Sequence, residues 1–251
     1  MVVKKETKNN ELGAILDNLS FATLGRGKNI ASGNSVFGKE VLGLNAFENN
    51  RLAKSYWKLD GHAFDDQPAP IFMKLDTFIL GGLPVTIGLS GEEVETSLLE
   101  EIDAEGLEYV PIGFMDMHMN GEKEFTVSGL GIAPEYQGRG LSKYLIYGGA
   151  KISGAQKLTI PTQLSNAQAH YGWLHLAPLK IASLDVFHNE ADTIVYDASI
   201  PQTKEDILSP LGDRDLEGEL VPFSELEFFV KEGFSKVVGY SEEGLYLENG
   251  K

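Results

Sequence analysis

The sequence predicts an α/β protein, and three observations lead to this fold class. Strand-like residues over Phe125–Ile132 give way to helical spacing from Leu141 onward, with a glycine-rich turn between the two elements. Asn120-Gly121, the strongest hairpin signal in the chain, joins that strand to an apolar strand before it. The chain has 251 residues, 42% of them apolar, which suffices for one large domain or two small ones.

Composition excludes several classes of partner and site. The formal net charge of −16 argues against nucleic acid, because phosphate backbones require clustered Lys and Arg. This charge suits a cationic substrate such as an amine or polyamine, and equally a solvated acidic surface. There is no cysteine, which excludes disulfides and thiolate sites. We expect no membrane span, since the longest apolar candidate, Phe78–Leu89, is broken by glycines and a proline. The predicted location is cytoplasmic.

The first 65 residues are predicted to be mostly helical. Apolar residues recur at near-helical spacing over Glu11–Leu24 and again over Val41–Trp57. A proline-rich break at Asp65–Pro70 follows. We therefore expect a helical N-terminal segment over 1–65, a core over 66–199 and a C-terminal extension over 200–251, which can all form one compact domain.

The predicted core opens with strands and one helix. Ile71–Leu80 and Leu83–Leu89 form two candidate strands around a glycine pair, and Glu92–Ile102 is an acidic amphipathic helix. Leu107–Met119 is the strand that leads into Asn120-Gly121.

A two-residue turn at Asn120-Gly121 would fix which side chains share a face. Because side chains alternate along a strand, Glu124 would lie on the face of Met115 and Met117. Asp116 and His118 would point to the opposite face.

The turn between strand and helix has the features of an anion site. Gly138 and Gly140 allow the backbone to direct its amides toward one point, and the helix start adds unpaired N–H groups and a positive dipole end. Arg139 and Lys143 contribute positive charge, and Lys143 opposes the helix dipole unless an anion binds there. The residues therefore indicate a phosphate site.

The stretch resembles the acetyl-CoA-binding motif of the GCN5-related N-acetyltransferase (GNAT) superfamily. The family pattern is Gln or Arg, two residues, Gly, one residue, then Gly or Ala, and it departs here only at Ser142. The resemblance implies a mixed, mostly antiparallel twisted sheet flanked by helices, with acetyl-CoA as cofactor. It implies main-chain contacts from Leu130 and Ile132 to the pantetheine arm. It places the pyrophosphate at Gln137, Gly138, Arg139, Gly140, Leu141, Ser142 and Lys143.

A strand, a capped helix and a hairpin follow the motif helix. The strand is Lys157–Gln163, Ser165-Asn166 caps a helix over Ala167–Leu176, and the hairpin spans 180–198. The resemblance implies that Asn166 contacts the cofactor and that Tyr171 protonates the departing thiolate. Tyr171 comes one residue before the family's tyrosine position.

A second fit of the family pattern places the end of the domain farther along the chain. Phe228–Gly239 also has a helix running into Gly-Phe and a strand, with Phe229 in the tyrosine position. We prefer the first fit because its elements follow one another without a long insertion.

The proton acceptor of the reaction is predicted by the resemblance to be Glu124. Family bases often lie near the start of this strand, two residues farther on, where this chain has Thr126. Asp116 and His118 remain an opposing pair of candidates. No metal site is predicted, since His170 and His175 lie five apart on a helix.

The predicted function is acetyl transfer from acetyl-CoA to the primary amine of a small molecule or peptide, by direct attack in a ternary complex. Two alternatives stay open at this point: a non-catalytic acyl-CoA-binding module, and a protein-interaction domain whose glycine loop is only a turn. The acceptor and the oligomeric state are not specified by the sequence.

Overall fold

The computed structural model describes most of the chain and divides it into two compact units. The first unit comprises Met1–Met119 and Gly129–Ala155, and the second Asn120–Ser128 and Gln156–Lys251. The predicted strand over residues 71–80 and the turn at 120–121 lie outside the described residues. The structure describes residues 16–25, 35–36, 38–45, 50–64, 83–119, 123–176, 178–187, 191–198, 200 and 218–250.

The sheet of the first unit is mixed. Strand β1 is parallel to β4 and antiparallel to β5, which is antiparallel to β6. The end of β7 follows β6, and β2 and β3 form a separate two-stranded ladder. These strands are β1 (Ser20–Gly25), β2 (Ser35–Val36), β3 (Lys39–Glu40), β4 (Leu42–Asn45), β5 (Leu83–Ser90), β6 (Tyr109–Met119) and β7 (Glu124–Ile132).

The helices predicted near the N-terminus are only partly correct. Residues 16–18 are helical, but Ser20–Gly25 is a strand. Phe21 to Leu24 are all buried, so this strand is covered on both faces and lacks the alternation that marks a strand. The second predicted helix, Val41–Trp57, is a strand at Leu42–Asn45, and its helix begins only at Asn50.

Besides the helical residues 16–18, the described part of the first unit contains the helices α1 (Asn50–Phe64), α2 (Thr96–Glu101) and α3 (Leu141–Ser153). The ring of Tyr56 on α1 packs edge-on against Phe114 of β6, with centroids 5.6 Å apart. Helix α3 packs on the other face of β6, because a Cβ added at Gly149 would lie 2.1 Å from Met115 Cε. The predicted helix over 92–102 is divided into a 3₁₀ turn at Gly91–Glu93 and α2.

The second unit begins with the first half of β7. Residues 124–126 of β7 pair in parallel with 157–159 of β8. The strand order from there is β7, β8, β10, β9, β12, β13, β11. The further elements are β8 (Lys157–Gln163), α4 (Ala167–Leu176), β9 (Leu179–Phe187), β10 (Ala191–Ala198), β11 (Glu219–Pro222), α5 (Leu226–Lys231), β12 (Phe234–Ser241) and β13 (Gly244–Asn249).

Strand pairing confirms the predicted hairpin next to β8. Strand β10 pairs antiparallel with β8 over six residues and with β9 on its other side. Strand β12, the alternative from the second fit, pairs with β9 over only two residues. The fold class is confirmed: the protein is α/β, and most strand pairs are antiparallel. The division into segments at 65 and 199 stays a prediction. Among the described residues, no helix is long and apolar enough to cross a membrane.

Candidate active site

The glycine loop follows β7 through a short, hydrogen-bonded turn. Ala133 N donates to Ile112 O at 2.9 Å, which extends the contact between β7 and β6. Pro134–Tyr136 then forms a 3₁₀ turn, and Gln137 N donates to Pro134 O at 3.2 Å. The proline both ends the strand and begins the turn. The loop therefore starts from a fixed point on the sheet.

Two glycines of the loop have left-handed backbones. Gly138 has φ 70° and Gly140, the residue before α3, has φ 77°. Such angles are costly for residues with a Cβ. A Cβ added at either position would meet nothing within 4 Å. Glycine is thus required for the backbone conformation, and none of the described residues fills the space beside the two glycines.

The amides of the loop are available to a ligand. Within the described part of the chain, no backbone acceptor is seen for the amides of Gly138, Gly140, Leu141 or Ser142. Lys143 N bonds back to Gly140 O at 3.1 Å. Four amides at the positive end of a 13-residue helix suit an anion such as a phosphate.

Side chains brace the loop from the protein side. Gln137 Nε2 donates to Ile132 O at 2.9 Å, and Arg139 Nη2 donates to Glu135 O at 2.9 Å. His62 Nε2 on α1 lies 3.0 Å from Glu135 Oε1. The side chain of Gln137 therefore positions the loop, while Arg139 keeps further N–H groups for a ligand. The His62–Glu135 pair was not identified from the sequence, because it joins residues far apart in the chain.

The remaining predicted ligand residues differ in exposure. Ser142 is half-buried, whereas Leu141 and Lys143 are buried, so Leu141 would contribute its amide alone. Ile132 is buried and its carbonyl already accepts the Gln137 amide. Leu130 is half-buried on β7. The roles of Lys143, Leu130 and Ile132 toward a cofactor stay predictions.

Glu124, in the second unit, takes part in an ion-pair network. Its Oε1 lies 3.1 Å from Lys157 Nζ, which also lies 3.1 Å from Asp197 Oδ1. The hydrogen bonds to Asp197 and Glu124 raise the pKa of Lys157. The Glu124 side chain is 40% exposed, so proton uptake there would compete with an exposed ion pair. Its role as base stays a prediction.

Asn166 and Tyr171 lie at the start and middle of α4. Asn166 Oδ1 accepts from Ala169 N at 3.0 Å, which confirms the predicted helix cap. Tyr171 is 49% exposed and meets the Tyr240 ring edge-on, with centroids 5.1 Å apart. Neither contact tests the proposed roles toward the cofactor, which stay predictions.

His170 is a buried residue with satisfied hydrogen bonds. Its Nε2 lies 3.0 Å from Gln163 O and its Nδ1 lies 2.8 Å from Tyr196 Oη. Burial lowers the pKa of His170, against the opposing effect of backbone hydrogen bonds from Gln163 and Leu164. A neutral ring that donates through Nε2 and accepts at Nδ1 satisfies both contacts. Over the described ranges, no cluster of three or more metal-ligating side chains is found.

Asp116 on β6 is a second buried polar residue that sequence analysis ranked below Glu124. Its side chain shares the buried face of Phe114, and the phenol of Tyr56 on α1 donates to Asp116 Oδ1. Burial, followed by the charges of Asp116 and Asp60, raises the pKa of Tyr56 well above its usual range. The phenol therefore stays neutral and remains a donor.

The chain was compared with known proteins. No protein-family model matches it, and no curated protein matches it significantly. It is similar to the solved structure of a GNAT family acetyltransferase from Elizabethkingia anophelis with acetyl-CoA bound, at 12% identity and a TM-score of 0.39, over 73% of this chain and 99% of that one.

Two further solved structures are also acetyltransferases. Aminoglycoside 6'-acetyltransferase type Ii matches at 12% identity and a TM-score of 0.42, over 62% of this chain and 94% of that one. Nourseothricin acetyltransferase matches at 16% identity and a TM-score of 0.35, over 48% of this chain. The match spans 66% of the length of that enzyme.

Proposed function

We propose that the protein is a GNAT-type acyltransferase that moves an acetyl group from acetyl-CoA to a primary amine by direct attack in a ternary complex. The observation that carries the proposal is the loop at Gly138–Ser142. Among the described residues, the amides of Gly138, Gly140, Leu141 and Ser142 have no backbone acceptor, two glycines of the loop have positive φ angles, and the loop leads into α3. A turn that served only to join strand and helix would not require this set of free donors.

The residues fit the pyrophosphate of coenzyme A. Backbone amides and the helix dipole suit a dianion, and Arg139 adds charge while anchored to Glu135 O. When bound, acetyl-CoA supplies the activated acyl group. The chain's own tasks are to hold the cofactor at the loop, orient it along β7, and accept a proton from the amine.

A binding comparison between two glycines of α3 tests the loop. Gly140 begins the helix at φ 77° and Gly154 ends it at φ 71°, and a Cβ at either meets nothing within 4 Å. Alanine at either position therefore imposes similar backbone strain, on the order of 1 kcal/mol. We expect Gly140→Ala to weaken CoA binding about tenfold, by displacing donors of charge-assisted bonds, and Gly154→Ala to leave it unchanged.

Calorimetric titration with CoA gives the affinities, and thiol release from acetyl-CoA with a panel of primary amines gives the activity. Wild-type protein that does not bind CoA would refute the assignment. Equal CoA affinity in the two variants would refute the loop as its site.

A non-catalytic acyl-CoA-binding module is the second candidate. Two observations favour it: Glu124 is paired with Lys157, and Tyr171 is exposed. A proton acceptor that is held in an ion pair and a proton donor that faces solvent are both poorly suited to catalysis. CoA binding without turnover of any amine in the panel would select this function.

A further inference from the structure

Three elements of the first unit hold the short turn that precedes the glycine loop. Strand β6 contacts it through Ala133 N, which donates to a carbonyl of that strand at 2.9 Å. Helix α2 contacts it through Tyr136, because the backbone of Glu95 forms a hydrogen bond with the Tyr136 phenol. Helix α1 contacts it through His62, whose Nε2 lies 3.0 Å from Glu135 Oε1 and 3.2 Å from Glu135 Oε2.

The contact between His62 and Glu135 differs from the other two in its exposure. Ala133 and Tyr136 are buried, whereas the side chains of His62 and Glu135 are 21% and 20% exposed. A carboxylate only accepts hydrogen bonds, so the His62 Nε2 that faces both of its oxygens carries a hydrogen. This contact can therefore be removed without opening a cavity in the core.

Arg139 is anchored on the same turn. Its Nη2 donates to Glu135 O at 2.9 Å, and its guanidinium carbon lies 5.5 Å from the centroid of the Tyr136 ring. A guanidinium carries several further N–H donors in one rigid plane. In the described part of the chain, Glu135 O is the acceptor seen for it, so the other donors suit an anion at the glycine loop.

The Glu135 carboxylate does not pair with this guanidinium, although Arg139 binds the main-chain oxygen of the same residue. Among the described residues, the carboxylate pairs with His62 and no ion pair joins it to Arg139. Carboxylates form strong, often bidentate hydrogen bonds with arginine. A pair between Glu135 and Arg139 would therefore take up the donors that a bound phosphate needs, and His62 holds the competing carboxylate at α1.

We propose that His62 is a positioning residue for the cofactor: it holds the Glu135 carboxylate at α1 and so leaves the Arg139 guanidinium to bind the pyrophosphate of CoA. This rests on the proposed acyltransferase function. Without His62, the carboxylate can turn to Arg139, and the loop then presents its amides without the charge beside them.

Variants on both sides of the contact test the proposal. His62→Ala removes the donor and keeps a good helix former in α1. His62→Gln restores an Nε2 donor at the same number of bonds from Cβ, without a charge. Glu135→Ala, alone and combined with His62→Ala, removes the carboxylate. Lys54→Ala is the matched control, because Lys54 also joins α1 to a carboxylate, that of Asp103.

Calorimetric titration with CoA, and with inorganic pyrophosphate as a second probe, gives the affinities. We expect His62→Ala to raise the Kd of both probes about tenfold. His62→Gln, Glu135→Ala and Lys54→Ala should each change it less than about twofold. The double variant of His62 and Glu135 should bind as tightly as wild type, because no carboxylate remains to occupy Arg139. A role in stability alone would weaken His62→Ala and the double variant equally, since both lack the same pair.

Three results would overturn the proposal: wild-type affinity in His62→Ala, the affinity of His62→Ala in the double variant, or no recovery in His62→Gln. Failure of the acyltransferase assignment has a different signature. In that case wild-type protein does not bind CoA, whereas the expected order of the variants with pyrophosphate alone would still support the role of His62.

Discussion

Alanine substitutions at Gly129 and Gly131 should have opposite effects on stability, although the two residues are two apart in one strand. At Gly131 the new Cβ would lie 2.6 and 2.9 Å from two ring carbons of Phe114 and 3.0 Å from the Cβ of Ala63. At Gly129 the nearest atoms are 3.6 Å away. Only the first substitution requires neighbouring atoms to move.

The magnitude follows from how little Phe114 can yield. Its ring is fully buried and packs against the equally buried Tyr56. Overpacking at such a site costs about 1–3 kcal/mol, while replacing glycine in a strand gains roughly 0.5–1 kcal/mol through the unfolded state. We therefore expect Gly131→Ala to destabilise the first unit by about 1–2 kcal/mol and Gly129→Ala to stabilise it by about 0.5 kcal/mol.

The assay uses the distribution of tryptophan. The chain has two tryptophans, Trp57 in the first unit and Trp173 in the second. In a Trp173→Phe background, the fluorescence of Trp57 reports urea unfolding from a position in the first unit. The expected difference between the two alanine variants, about 2 kcal/mol, is readily resolved at equal m-values. Equal midpoints, or a less stable Gly129→Ala, would refute the packing argument.

Three further predictions concern other elements. A Cβ at Gly148 would lie 2.0 Å from the Phe21 ring, so Gly148→Ala should lower the free energy of unfolding in urea by about 3 kcal/mol. Gly172 on α4 has no described atom near its missing Cβ, so Gly172→Ala should raise the free energy of unfolding by about 0.5–1 kcal/mol. Burial lowers the pKa of His170, so as the pH falls the unfolded chain takes up this proton at a higher pH than the folded chain does. Stability should therefore fall as the pH drops below about 6.5. An NMR titration midpoint of His170 at or above that pH would contradict this prediction. Asn166→Ala should lower the free energy of unfolding by about 1 kcal/mol, whereas Asn166→Asp, which keeps the capping oxygen, should leave it almost unchanged. Loss of CoA affinity in the aspartate variant would show that the side-chain amide of Asn166 binds the cofactor in addition to capping the helix.

Local signals in the sequence identified the elements around the loop correctly. Strand β7, the turn, helix α3 and the cap at Asn166 each depend on residues within a few positions of one another. Strand β1 was missed because Phe21 to Leu24 are all buried, and a strand covered on both faces shows no alternation. The alternation of apolar and polar residues shows which face of a strand is exposed to solvent, so it gives no signal where neither face is exposed.

The end of the core could not be settled from local pattern, since two segments carry the same signals. A helix, a glycine and a strand occur at Leu226–Ser241 as the second fit required. The difference lies in pairing: β10 contacts β8 along six residues, and β12 reaches only β9. Strand partners are set by contacts between distant residues, so register had to be observed.

The same distinction separates the two halves of the candidate site. The candidate cofactor loop is made of backbone, so its glycines and the start of its helix can be identified within six residues of sequence. The contact between Asp116 and Tyr56 joins residues 60 positions apart in the chain, and Gly129 looks identical in sequence to its neighbour Gly131. Only the distances from each missing Cβ to its described neighbours show that packing requires glycine at Gly131, whereas the contacts at Gly129 would be ordinary.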